Sequence, residues 1–170
     1  MSSAFPKPGI VEDPRALLLH YLDFYRGVIA DRVAGLSADQ LQHSRVPSGW
    51  SPAGLVNHLV HVERRWLDWG FCGEDVPDPW RDRADRRSWV SPTLTGAGLR
   101  TLLLERGQAT RALVERHGLG ERAKVGGRFT DPTDVPDLQG ILFHLVQEYA
   151  RHAGHLDIVR EILDAEHDDS

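Results

Sequence analysis

Residues 136–165 read PDLQGILFHLVQEYARHAGHLDIVREILDA. Leu138, Ile141, Leu142, Leu145, Tyr149, Leu156, Val159 and Leu163 recur at steps built from threes and fours, the period of a helix with one buried stripe. Pro136-Asp137 is a helix-opening signal, so a helix is predicted over about 137–165. Three more segments have the same character. Asp13-Pro14 is a cap followed by a proline at the first helical position; it opens a helix over about 14–33, with Leu17, Tyr21, Phe24 and Val28 on its stripe and Leu18, Leu22, Tyr25 and Ile29 widening it. Ser51-Pro52 opens a second over about 52–70, through Leu55, Leu59, Val62, Trp66 and Trp69. Ser91-Pro92 opens a third over about 93–117, through Leu99, Leu102, Leu103, Thr110, Leu113 and Val114. No stretch alternates with period two, so no sheet is expected. Four long helices in a chain of 170 residues predict an all-α four-helix bundle, a single domain over 1–170.

Composition narrows the function classes. The chain is 41% hydrophobic and 26% charged, with a formal net charge of −5. Its basic residues form no stripe of the kind that displaces counterions from nucleic acid. No apolar run approaches the roughly 18–20 residues of a membrane span. Cys72 is the one cysteine, which excludes an internal disulfide and a cysteine-rich zinc site. Met1–Pro8 lacks the cationic and apolar regions of a signal peptide, so a cytoplasmic protein is expected. The two linkers 72–90 and 118–135 are about 20 residues each. Loops this long are lids, binding loops or disordered segments; in the first, Trp80 and Trp89 can equally be tucked against the bundle.

The chemistry concentrates on the last helix. His152 continues the stripe from Leu145 and Tyr149 toward Leu156, so it takes a core position. Glu148 stands four residues before it, about 40° away around the helix. Two polar groups entering a core one turn apart must satisfy each other or share a metal, and i, i+4 spacing suits a shared metal. The second helix offers a third ligand. His58 lies about 60° from the stripe of Leu55, Leu59 and Val62, whereas His61 lies about twice as far round. His58, Glu148 and His152 make a set of two imidazoles and one carboxylate with an open position, a catalytic pattern for zinc that also suits nickel, cobalt or ferrous iron. A rival set of His58, His61, His152 and His155 requires His61 to turn inward. Candidates for substrate contact are Arg106, within the third helix's stripe, together with Trp66, Tyr149 and His155. Arg106 has the alternative of pairing with a buried acid, and Trp66 and Tyr149 of packing the core. Glu63 and Arg151 read as bundle salt bridges or solvated residues. No catalytic nucleophile is identified.

The segments Trp50-Ser-Pro…His58-Leu-Val-His-Val-Glu63-Arg-Arg-Trp66 and Glu148-Tyr-Ala-Arg-His152-Ala-Gly-His155-Leu-Asp157-Ile resemble the DinB-like superfamily. Within it they resemble the actinobacterial branch with the Glu-Tyr-Ala-Arg-His-x-Gly-His signature. Related members include YfiT-like metal-dependent hydrolases, mycothiol-dependent maleylpyruvate isomerase, and bacillithiol and mycothiol S-transferases. The resemblance implies a four-helix bundle with a divalent metal at one end. It also implies His58, eight residues after Trp50, as one ligand and the pair Glu148 and His152 as the others. The chain departs from many relatives of this branch in carrying Leu138-Gln139-Gly140 where they carry Leu-Arg-Trp. A substrate contact made by that arginine or tryptophan would be missing here.

The resemblance thus implies a metal-dependent thiol S-transferase or isomerase that joins a low-molecular-weight thiol such as mycothiol to a small electrophile. Two alternatives stay open: a metal-dependent hydrolase activating water, and a non-catalytic small-molecule-binding stress protein. A homodimer is possible through the wide apolar face of the first helix.

Overall fold

Asp13 caps the first helix as its position predicts, its carboxylate accepting from Arg15 N at 2.9 Å. The computed structural model describes residues 13–85 and 89–168; the leader reading at Met1–Pro8 lies outside them. Helix α1 spans Pro14–Val33, α2 Ala38–Gln42, α3 Pro52–Glu63, α4 Gly96–Arg116 and α5 Leu138–Asp168. A π-helical segment, Arg64–Phe71, continues α3. Among the described residues only isolated bridges stand in for a sheet, and no helix is long and apolar enough to cross a membrane.

The four long helices form the bundle, α1 and α3 each packing against both α4 and α5. Leu22, Ile29, Leu55, Leu59, Leu99, Leu103, Leu142, Leu145 and Tyr149 fill its core. Three boundaries differ from those expected. The third long helix begins at Gly96 rather than near 93, because Thr95 caps it by accepting from Gly98 N at 3.1 Å. Ser91 is turned away to share a hydrogen bond with Ser51, the residue that caps α3. The short α2 was not anticipated, although Ser37 and Gln40 form a reciprocal capping box, which has the Ser-x-x-Gln spacing of that motif. The second long helix changes character at Arg64, where its turns widen: Cys72 N donates to Leu67 O, five residues back, at 2.8 Å. Such widening tends to mark functional sites. Here it accompanies a chain course in which Arg65 reaches the 72–90 loop, Trp66 lies against His144 and Asp68 meets Arg106.

The described parts of both long loops are docked. Loop 118–135 lies along the π-helical segment, with Lys124 N on Phe71 O at 3.0 Å and Arg128 N on Trp69 O at 3.3 Å. The contact is close at Gly127, where a Cβ would come within 2.2 Å of Trp69 O. Gly127→Ala is therefore expected to displace the loop and lower stability by about 1–3 kcal/mol, the usual range for overpacking. A urea midpoint equal to that of the wild type would show that the loop docks elsewhere.

One polar group crosses the core. Glu63, fully buried at the end of α3, accepts from Arg26 Nη2 of α1 at 2.9 Å on each carboxylate oxygen. It also accepts from Thr110 of α4 and from the Tyr149 hydroxyl of α5 at 2.5 Å. Burial pushes the Glu63 carboxyl up, but Arg26, Arg106 and the two hydroxyls outweigh it and hold the group below the usual carboxylate range. All four long helices thus meet on one carboxylate.

Candidate metal centre

Helix α3 carries His58 and helix α5 carries Glu148 and His152. The bundle brings one ligand atom from each to within 4.8 Å of the other two. The imidazoles of His58 and His152 meet edge to face, with centroids 5.3 Å apart. Glu148 Oε2 lies 3.4 Å from His152 Nε2, and its other oxygen lies 3.7 Å from His144 Nε2. The hydrogen bond from His152 keeps the Glu148 carboxyl below its ordinary range, so it is a carboxylate with a lone pair to offer.

His58 is clasped by the 72–90 loop. Its Nδ1 lies 3.0 Å from Asp82 Oδ2, and the Trp89 indole stacks on its ring at 4.1 Å with an interplanar angle of 11°. Burial pushes the His58 pKa down more than Asp82 pushes it up, so the ring is neutral at neutral pH. His152 has a neighbour of its own, His155, whose Nδ1 lies 3.2 Å from His152 Nδ1. The donor chemistry of two imidazoles and one carboxylate fits a divalent transition metal with a position left for a substrate.

The three residues open onto a cavity of about 520 Å³, lined also by Trp50, Trp89, Arg151, His155 and Ile158. Of the residues expected to touch substrate, His155 lines this cavity, and Arg106, Trp66 and Tyr149 do not. Arg106 is turned into the protein, its guanidinium held by Asp68 at 2.6 and 3.0 Å and lying 3.5 Å from Glu63. Tyr149 is spent on Glu63, and burial raises its hydroxyl pKa well above the ordinary value. Trp66 packs between His144 and Arg128. His61 stays outside the cluster, as its angle on the helix predicts, with Nδ1 on its own helix at Asn57 O. Gln139 and Gly140, where the chain departs from its resemblance, line a different, apolar groove between the starts of α1 and α5, between three and four turns of α5 from His152 by helical rise.

Sequence reasoning missed Asp82 and Trp50 as parts of this site and left Trp89 undecided between lid and packing. Asp82 carries no signal in a loop without periodicity. Trp50 stands directly before the Ser51-Pro52 cap, and that position could have placed it beside the first turn of α3.

A family model described as mycothiol-S-transferase matches residues 17–165 of the chain. No curated protein matches it.

Proposed function

The chain belongs to the mycothiol-S-transferase family, and from that premise we propose that it is a divalent-metal-dependent transferase joining a low-molecular-weight thiol, mycothiol or one like it, to a small electrophile. The observation that carries the reading is the convergence of His58, Glu148 and His152 at one cavity. These three residues would hold the metal, with zinc the first candidate from the donor set. A divalent cation bound there supplies the charge that favours the thiolate over the thiol near neutral pH.

The chain's own groups do the rest. Neutral His58 and ionised Glu148 present lone pairs and leave a face open toward the cavity. Trp50 and Trp89 give that cavity apolar walls suited to a carbon electrophile. Arg151 at its edge can balance an anionic group, and His155 contributes an imidazole beside His152. In transfer, the thiol loses its proton to solvent, its sulfur bonds to the electrophilic carbon, and the displaced group leaves with the bonding pair. With an unsaturated acceptor the sulfur adds to one carbon of the double bond and the neighbouring carbon takes up a proton, and loss of both after rotation about the resulting single bond gives isomerisation.

Mycothiol loss should accelerate when the zinc-loaded protein is incubated with a panel of alkyl halides and unsaturated carbonyls, and the acceleration should disappear after chelation. Ester or amide turnover without thiol would overturn the reading in favour of a hydrolase. Metal affinity should depend on pH with a definite sign. Protonated imidazole cannot ligate, so zinc affinity is expected to hold between pH 7 and 8 and to fall as pH drops through roughly 6–7 and below. The lowered His58 pKa delays its share of the loss toward the acid end. Chelator competition at each pH measures this, and undiminished binding at pH 5 would remove histidine from the ligand set.

A further inference from the structure

Asp82 is fully buried, and every hydrogen bond it makes has a direction. Arg65, from the π-helical segment, donates to Oδ1 at 2.5 Å and to Oδ2 at 3.2 Å. Oδ2 also faces His58 Nδ1 at 3.0 Å. An ionised carboxylate can only accept, so the proton of that third contact belongs to His58. The Asp82 carboxyl is an ion by its geometry: both of its oxygens accept from the Arg65 guanidinium in a buried pair. The loop that delivers Asp82 is fixed on both sides of the imidazole. Val90 N donates to Asp82 O at 2.7 Å, Asn57 of α3 donates to Val90 O at 2.9 Å, and Trp89 covers the ring face.

We propose that Asp82 is a positioning residue of this centre: its carboxylate holds His58 as the Nδ1–H tautomer, so that Nε2 is the donor presented to the cavity beside Glu148 and His152. The inference rests on the metal-centre reading above and adds the part played by the 72–90 loop. Asp82, with Trp89 and Val90, sets one ligand's tautomer and ring orientation, and Arg65 fixes the Asp82 carboxylate to the bundle. Outer partners of this kind raise ligand basicity, and their loss typically weakens metal binding by about 10–100-fold.

The test uses the full chain, zinc alone as the probe, and Asp82→Asn, which keeps the side chain's volume. Long-range proton–nitrogen NMR on metal-free ¹⁵N-labelled protein reads the His58 tautomer, and chelator competition reads zinc affinity. The expected result is a wild-type His58 protonated at Nδ1, a variant in which that preference is lost, and zinc affinity lowered by about 10–100-fold with helical circular dichroism unchanged. Equal zinc affinity in the two proteins overturns the proposal while leaving the metal reading intact. Wild type that binds no zinc, with the tautomer nonetheless lost in Asp82→Asn, upholds the hold of Asp82 on His58 and overturns the metal reading. If the variant does not fold, the wild-type spectrum still decides: a metal-free His58 protonated at Nε2 overturns the proposal.

Discussion

His152→Ala is expected to weaken zinc binding by more than about 100-fold, beyond the roughly 10–100-fold that loss of an outer partner costs, and to remove metal-dependent thiol transfer with it. The argument is geometric. His152 is the residue through which the cluster holds together, within 3.4 Å of Glu148 and edge to face with His58. Without it, one imidazole and one carboxylate remain on different helices, one donor short of the three protein ligands of an open zinc site. Glu148→Gln gives the companion result, since an amide oxygen replaces the carboxylate while the side chain keeps its shape. Metal content after purification without chelators, followed by chelator competition, measures both. An His152→Ala protein that retains one equivalent of metal would place the site elsewhere. A wild type without metal affinity would reduce Glu148 and His152 to a pair of side chains satisfying each other.

Glu63→Ala is expected to lower stability by about 3–5 kcal/mol, the cost of removing one partner of a buried ion pair. Arg26 is 3% exposed and keeps its proton because Glu63 outweighs the effect of burial. Removing the carboxylate leaves Arg26 with Asp23 at the surface end of its guanidinium and Arg106 with Asp68 and the Thr110 hydroxyl. The Tyr149 and Thr110 hydroxyls lose their acceptor as well. Domains are stable by only about 5–15 kcal/mol in total, so the variant should melt roughly 6–20 °C lower by calorimetry. Replacing Arg26, Glu63 and Arg106 together with apolar residues of similar volume should cost far less, because no fully buried charge is then stranded: Asp23 and Asp68, which lose their arginines, both reach solvent. If the single and triple variants melt at the same temperature, the network is not an ion cluster held by mutual compensation.

The four long helices were legible because each combines a 3.6-residue stripe with a proline or a polar cap near its start. Where two signals competed, the sequence misled: Ser91-Pro92 looks like Ser51-Pro52, yet the Ser91 hydroxyl pairs with Ser51, and the helix waits for Thr95. The π-helical segment gave no warning, since an added residue per turn leaves no mark in residue type. The three clustered residues were readable because angles around a helix translate into direction. Arg106 was ambiguous for a physical reason, as an arginine on an apolar stripe looks the same whether it faces a cavity or a buried acid. Glu63 and Asp68, the acids it meets, come from another helix and from the π-helical segment that follows it, respectively. Asp82 belongs to a loop, whose path depends on Arg65, Asn57 and the packing of Trp89 rather than on any local repeat.

The carboxylate at the centre of the bundle has an evolutionary consequence. Tyr149, which grips Glu63, immediately follows Glu148 in the chain, and Glu63 stands five residues beyond His58 on α3. A slide of either helix by one turn, about 5.4 Å, would break the Tyr149 contact and separate His58 from its two companions in the same movement. Relative height is thus set by a fixture that does not line the cavity. A change of ligand on α5 or of a cavity wall would leave this Glu63 contact, and with it the alignment of the helices, in place. Diversity of chemistry and constancy of scaffold then fall to different residues and can be selected separately.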